Sequence, residues 1–346
     1  MNVRTLLLAV AVCGCVNHLT LSPSSADTFG TGSNTFSIAF AHVGNAGNPA
    51  DAASRDQLGA VPYVYRIGTY EISQEQIEMA TAGGLLGVTA GAWGGSQPAA
   101  FMKWYEMAAF ANWLNTSTGN VPAYNLAYNG GSNNSSWVMS LWSSGDAWQN
   151  GGQNLYRNKN AYYFLPSDDE WFKAAYQKND GATGNYWTYP TGSNSVPTPV
   201  ASGTAAGSAV YAQSLTAPPA PVEQSGGLSA YGTMGQGGNV WEWLETSAGG
   251  SNTVPFEDRM MWGGSSENQS QDLQSTNTSP FNTNPASENI YVGFRVASAE
   301  VGVGIVPEPS TLALVIVGLG SLGYATYRRT RPSRSRAGTP QKSDAL

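Results

Sequence analysis

The sequence predicts an α+β fold that is irregular and loop-rich, a single domain held between two apolar chain ends. Three observations predict it. Only 11% of the 346 residues are charged, while glycine (41 copies) and tryptophan (11 copies) are abundant. That mixture suits a globular body with long loops and a large aromatic core, since each indole buries a large area. Helical periodicity comes in short pieces opened by capping signatures, and strand-like runs are short and separated by Asn-, Ser-, Thr- and Gly-rich stretches. The third observation is an apolar run at each end, both next to arginine.

The N-terminal end reads as a secretory signal peptide over residues 1–26. Arg4 precedes the apolar run from Leu6 to Val16, and Ser24-Ser25-Ala26 is a small-residue cleavage site with processing after Ala26. The run is too short to span a bilayer. A second reading of the same region takes Val12-Cys13-Gly14-Cys15 as a lipoprotein box with Cys15 as the lipidated terminus.

The body, residues 27–305, opens with a strand over 35–43, in which His42 reads as a packing or surface residue. Residues 61–72 read as strand, turn and strand. Ser73 and Gln76 then form a capping box, in which hydroxyl and amide satisfy helix-end N–H groups reciprocally, and Gly83-Gly84 ends that helix. Pro98 is suited to the first turn of a second helix, whose apolar stripe is Phe101, Tyr105, Ala108, Ala109 and Trp113. Residues 123–160 form a polar insertion carrying Trp137, Trp142 and Trp148. Such a stretch is either a cover for the core or an aromatic surface for a carbohydrate or peptide. After a short strand at 162–165, Ser167 and Glu170 make a second capping box. The run Asp168-Asp169-Glu170 is explained by helix capping, with a metal cluster as the alternative.

Residues 186–222 are an irregular Pro-, Ser-, Thr- and Ala-rich excursion. The segment that organises the rest is Gly237-Gly238-Asn239-Val240-Trp241-Glu242-Trp243. On a strand Trp241 and Trp243 share one face and Glu242 takes the other. Glu242 is then either solvated or turned inward to a metal ion or a polar network. Residues 259–265 read as a strand ending in a glycine turn, and 291–296 as a closing strand in which Arg295 pairs with a carboxylate.

Charge and residue counts exclude several functions. Residues 27–306 hold 9 basic and 21 acidic residues, a net of −12, which argues against nucleic acid as a partner. Both cysteines, Cys13 and Cys15, lie in the leader run, so a processed chain has no disulfide, thiolate ligand or cysteine nucleophile. His42 is the only histidine of the body, which excludes three-His and His/Cys metal sites within one chain. Asp146, Glu242 and Asp258 are scattered acids whose spacing singles out no catalytic pair.

At the C-terminal end, Pro307-Glu308-Pro309 precedes an uncharged apolar run over 310–327 and then Arg328, Arg329, Arg331, Arg334 and Arg336. The run has the length of a membrane span, and the arginines place the tail, residues 337–346, in the cytoplasm. Residues 306–336 resemble a PEP-CTERM sorting signal in having all three parts in order. The resemblance implies a Gram-negative bacterium that makes extracellular polysaccharide, processing at Pro307, Glu308 and Pro309 by an exosortase, and transfer from the inner membrane to the cell surface or extracellular matrix.

The body resembles the formylglycine-generating enzyme, or sulfatase-modifying factor, family. Six pieces carry the resemblance in order: 70–73, 108–114, 164–171, 238–243, Trp262-Gly263-Gly264-Ser265 and Gly293-Phe294-Arg295-Val296. It implies an α+β fold related to C-type lectins. In the oxidase members two cysteines after the Gly-Gly-Ser turn hold copper; the corresponding positions here are Asn268 and Leu273. The three-His iron site of other members has no counterpart either, so neither copper nor iron is expected. The family's calcium site, carried over, falls on the carbonyls of Gly238 and Val240 and the carboxylate of Glu242, while a further side-chain ligand falls at Gly235, which has none. Any such ion would be structural, and no cofactor is required. The expected function is a non-catalytic cell-surface or matrix binding module, with polysaccharide or matrix protein as partner. The alternative is an enzyme that uses this scaffold with an unidentified site.

Overall fold

The computed structural model describes residues 25–89, 91, 93–131, 136–277 and 281–300, all within one compact unit. The signal peptide up to residue 24, the Pro-Glu-Pro tripeptide and the C-terminal apolar run lie outside the described residues. Among the described residues no helix is long and apolar enough to cross a membrane.

Strands β1 (Ser25–Phe29), β2 (Phe36–Val43) and β3 (Tyr65–Gly68) precede helices α1 (Gln74–Ala82) and α2 (Trp104–Ser117). Two hairpins follow: β4 (Asn125–Tyr128) with β5 (Trp137–Ser140), and β6 (Ala147–Trp148) with β7 (Asn154–Asn158). Then come β8 (Tyr163–Phe164), α3 (Asp168–Tyr176) and the short parallel pair β9 (Thr198–Pro199) and β10 (Ser208–Ala209). The chain ends in β11 (Trp241–Ser247), β12 (Arg259–Trp262), β13 (Phe281–Thr283), β14 (Val292–Gly293) and β15 (Ala297–Ala299).

Two sheets organise these elements. The first is antiparallel, in the order β1-β2-β3-β15-β8; the second runs β13-β12-β11-β14, with β14 parallel to β11. The segment from β14 to β15 leaves one sheet and joins the other. Its Phe294 carbonyl accepts from the Ile72 N–H at 2.9 Å and its Val296 carbonyl from the Gly68 N–H at 2.7 Å. The sequence predicts one closing strand here; the structure breaks it into two short pairings, because the chain must cross between sheets. That crossing sets Arg295 in the interior.

Both capping boxes form. The Gln76 N–H donates to Ser73 Oγ at 3.3 Å and the Ser73 N–H to Gln76 Oε1 at 2.9 Å, and Ser167 and Glu170 repeat the arrangement at the start of α3. The second helix corrects its sequence reading. It starts at Trp104, six residues past Pro98, with Lys103 as its N-cap. The Pro98 region is extended instead: Ala99 N–H donates to the Ile72 carbonyl at 2.8 Å, and Phe101 takes a left-handed φ of 58° that no helix start accommodates. The strand, turn and strand predicted over 61–72 reduce to β3 alone for a similar reason, since the backbone after it bonds across to 294–296 rather than along one ladder.

The core is aromatic. Trp104, Trp171, Trp243 and Trp262 are fully buried, and Phe110, Phe164, Phe294 and Ile67 join them, each such apolar side chain contributing about 1.5–3 kcal/mol. The 123–160 insertion packs onto this core as two hairpins. Trp137 is buried, Trp142 donates its Nε1–H to the Ala123 carbonyl at 2.9 Å, and Trp148 meets Tyr63 edge-on with ring centres 5.1 Å apart.

Candidate functional site

The Gly237–Trp243 segment enters β11 through a tight approach to the 210–211 backbone. Gly238 has φ 91°, and a Cβ there would lie 2.1 Å from the Val210 carbonyl oxygen, so only glycine fits. Asn239, at φ 62°, turns its side chain inward. Its Nδ2 donates to both oxygens of Glu71, at 3.1 and 2.9 Å, and its Oδ1 accepts from the Ala220 N–H at 2.8 Å. Burial first, then repulsion from Glu242, pushes the Glu71 carboxyl well above the usual range.

Glu242 is fully buried and faces Arg295, also fully buried. Arg295 donates Nε–H to Oε2 and Nη2–H to Oε1, each at 2.6 Å, and Trp171 Nε1–H adds a third bond to Oε2 at 2.8 Å. The remaining guanidinium donors reach the carbonyls of Gly68, Thr69 and Met234. Of the two readings of Glu242, the inward polar network is therefore the observed one. Gly238, Val240 and Glu242 stand together at the entry to β11, but both Glu242 oxygens already accept hydrogen bonds. A cation taking this carboxylate must displace a bidentate guanidinium. Among the described residues no group of three or more His, Cys, Asp or Glu could hold a metal ion.

A second buried network lies further along β11. The strand carries an irregularity between Trp243 and Ser247, where its register against β12 shifts, and Glu245 sits in that stretch. Arg157 of β7 bridges Glu245 to Glu170 of α3. Its Nη1 and Nη2 donate to the two Glu170 oxygens at 2.8 and 2.7 Å, and its Nε lies 3.0 Å from both oxygens of Glu245. Tyr63 donates to Glu170, and Tyr124 and Asn154 donate to Glu245. Burial alone would raise the Glu170 carboxyl, but the charge and hydrogen bonds of Arg157 outweigh it and hold it below the usual range. Arg259, over the rings of Tyr156 and Trp104 at 3.7 and 4.5 Å, supplies a second buried positive charge beside this strand. Sequence reasoning missed Arg157, Glu245 and Arg259. One signal for them is available: Glu242 and Glu245 stand three apart on one strand, so they point to opposite faces, and a fully buried strand then requires a cation on each side.

Past β12, Gly263 and Gly264 both have positive φ and make the expected turn. Asn268 closes the following loop: its Oδ1 accepts from the N–H and the Oγ–H of Ser265, at 2.8 and 2.7 Å. Leu273 is completely buried in a small apolar cluster with Tyr189, Ala209 and Tyr211, and its Cδ1 lies 3.1 Å from where a Cβ on Gly264 would stand. Tyr176 Oη–H donates to the Leu273 carbonyl at 3.1 Å. Asn268 is thus a turn residue and Leu273 a plug.

Ala26 lies in β1, opposite Ala39 of β2. Its neighbour Asp27 meets Arg66 and Tyr163 through its carboxylate. Asp168 and Asp169 act at the start of α3: Asp168 Oδ1 accepts from Thr246 Oγ1 at 2.9 Å and Asp169 Oδ1 from the Gly59 N–H at 2.7 Å. They also line a cleft of about 330 Å³ with Tyr63, Trp148, Asn150 and Gln153. A larger cavity of about 650 Å³ lies between β2 and the start of α1.

Fold and site together define a loop-rich α+β scaffold with a charged interior, in which Glu242 pairs with Arg295 and Glu170 and Glu245 with Arg157, and with a leucine buried after its glycine turn. The chain belongs to the family of the sulfatase-modifying factor enzyme 1-like domain, whose model matches residues 64–300. The PEP-CTERM protein-sorting motif matches residues 306–330, so the chain is an exported, exosortase-sorted cell-surface protein. Two solved structures share the fold. Treponema denticola variable protein 1 is 17% identical with a TM-score of 0.52, over 81% of this chain and 100% of that one. CarF is 18% identical with a TM-score of 0.50, over 76% of this chain and 98% of that one. No curated protein sequence matches the chain.

Proposed function

We propose that this exported chain is a non-catalytic binding module of the cell surface or extracellular matrix. The observation that carries the reading is the packing at Leu273. Where the resemblance to the oxidase members expects a copper thiolate, a fully buried leucine fills the space against Tyr189 and Tyr211. Asn268, at the other expected thiolate position, spends its side-chain oxygen on Ser265. Neither side chain is a ligand for a soft metal ion. Redox chemistry of the family type therefore has no donor set to work with. Calcium is not required in this reading, because the Glu242 charge is already matched by Arg295.

The test is made on the full chain with Cys13 and Cys15 changed to serine, purified in detergent. It is incubated with copper(I) or iron(II), desalted and analysed for metal by mass spectrometry, then given a cysteine-containing peptide and oxygen. The expected result is metal well below one ion per chain and no oxygen-dependent loss of peptide thiol. About one copper or iron per chain together with oxygen-dependent thiol oxidation overturns the reading in favour of an enzyme with an unidentified site.

A further inference from the structure

We propose that the cleft of about 330 Å³ between residues 60–63, the β6–β7 loop and the start of α3 binds an uncharged sugar unit of a polysaccharide. The inference rests on the surface-module reading and names the ligand class and the place.

The lining selects the chemistry. The volume is at the small end of ligand sites, enough for a sugar-sized group and too little for a folded partner. Asp168 and Asp169 line the cleft and in their ionised forms disfavour phosphates, sulfates and uronates. A divalent cation is disfavoured, because the described residues hold no cluster of three ligating acids. A purely apolar ligand would strip water from two carboxyl groups and several carboxamides without replacing their hydrogen bonds. A neutral ligand dense in hydroxyl groups meets none of these obstacles.

The cleft also holds groups with capacity to spare. The carboxamides of Asn150 and Gln153 are exposed and make no side-chain hydrogen bond among the described residues, and each offers two donors and an acceptor. Thr246 and the backbone N–H groups of Gly59 and Asp169 fix the two carboxyl groups that line the same cleft. Burial, with the neighbouring Asp168 charge, pushes the Asp169 carboxyl up to about 7, so near neutral pH it can accept from or donate to a hydroxyl. Tyr63 and Trp148, packed edge-on against each other, also line the cleft and are aromatic residues of the kind that pack against the C–H faces of sugar rings. Tyr63 and Trp148 are held in turn by Glu170 and Arg157, so the cleft is backed by the buried ionic network.

The experiment uses the full chain in a sugar-free zwitterionic detergent. It measures saturation-transfer NMR and calorimetric titration with neutral tetrasaccharides built of glucose, galactose, mannose or N-acetylglucosamine. At least one is expected to bind, and the Asn150→Ala/Gln153→Ala double variant is expected to bind it at least tenfold more weakly. Those two residues are exposed and make no side-chain hydrogen bond among the described residues, so the variant should melt close to the parent temperature. Trp148→Ala should abolish the saturation-transfer signal. No binding to any of the four, or binding that the double variant leaves unchanged, overturns the proposal. So does tighter binding of an uncharged peptide or an oligouronate in the same cleft. A negative result here with a negative metal and oxidase assay rejects the cleft alone, whereas a positive oxidase assay rejects the surface-module reading itself.

Discussion

Replacing Arg157 by methionine is expected to destabilise the protein by at least about 3–5 kcal/mol, the cost of removing one partner from a buried ion pair. The cost should fall at or beyond the top of that range, because two carboxylates lose their cation at once. Glu170 and Glu245 are both fully buried, and Arg157 is the only basic side chain that bonds either carboxylate among the described residues. Tyr63, Tyr124 and Asn154 would still donate to them, which softens the loss without neutralising any charge. The Glu170 contribution to the pH dependence should change sign. In the parent chain the Glu170 carboxyl is held below its ordinary value, so its contribution is present above that value and is lost as pH falls through the depressed one. Without Arg157, burial is left to push the carboxyl up, and on acidification from neutral pH the variant gains more stability than the parent, in which Glu71 and Asp169 already contribute such a gain. Urea unfolding followed by tryptophan fluorescence at about pH 7.5 and about pH 5.5 measures both effects. A loss below about 1 kcal/mol, the range of exposed ion pairs, would contradict the buried network.

The second large effect is expected at Arg295. Arg295→Met should also cost about 3–5 kcal/mol, since Glu242 keeps only the Trp171 indole N–H among its side-chain donors. Glu71 is affected too, because the Arg295 charge is one of the influences that lower its carboxyl. A double-mutant cycle separates the pair from the site. Glu242→Met with Arg295→Met removes both charges together and should recover more than about 1.5 kcal/mol of the loss summed over the two single variants. Additive losses would mean that the two side chains are not coupled.

The sequence makes much of this fold readable, but unevenly. Helix starts at Ser73 and Ser167 are local chemistry, a hydroxyl and an acid or amide three residues on, and both form as expected. The start of α2 is not local. Pro98 suits a helix, yet the backbone at 98–99 is claimed by Ser73 and Ile72, which only the folded chain brings close. The glycine turn at 263–264 is legible because positive φ favours glycine. The partner of Glu242 was within reach, since Arg295 is the one basic residue in the closing segment and so few basic residues exist in the body. The Arg157 bridge was not, because Glu170 and Glu245 stand 13 and 88 residues from it along the chain. Nor does composition reveal the cleft at Asp168 and Asp169, where helix capping and cavity lining use the same two side chains.

The most direct measurement of the closed family site uses a single thiol. The leader cysteines Cys13 and Cys15 are first changed to serine, so that Leu273→Cys is the sole reactive group. The rate of its reaction with a maleimide is then compared with that of Gln269→Cys, at an exposed position of the same loop. Leu273 is 0% exposed, so the account predicts that the thiol introduced by Leu273→Cys stays unlabelled in the folded chain while that of Gln269→Cys reacts, and that both react in denaturant. Labelling of the folded Leu273→Cys variant at a rate close to that of Gln269→Cys would contradict the account, because it would show an open site where the oxidase members hold their metal.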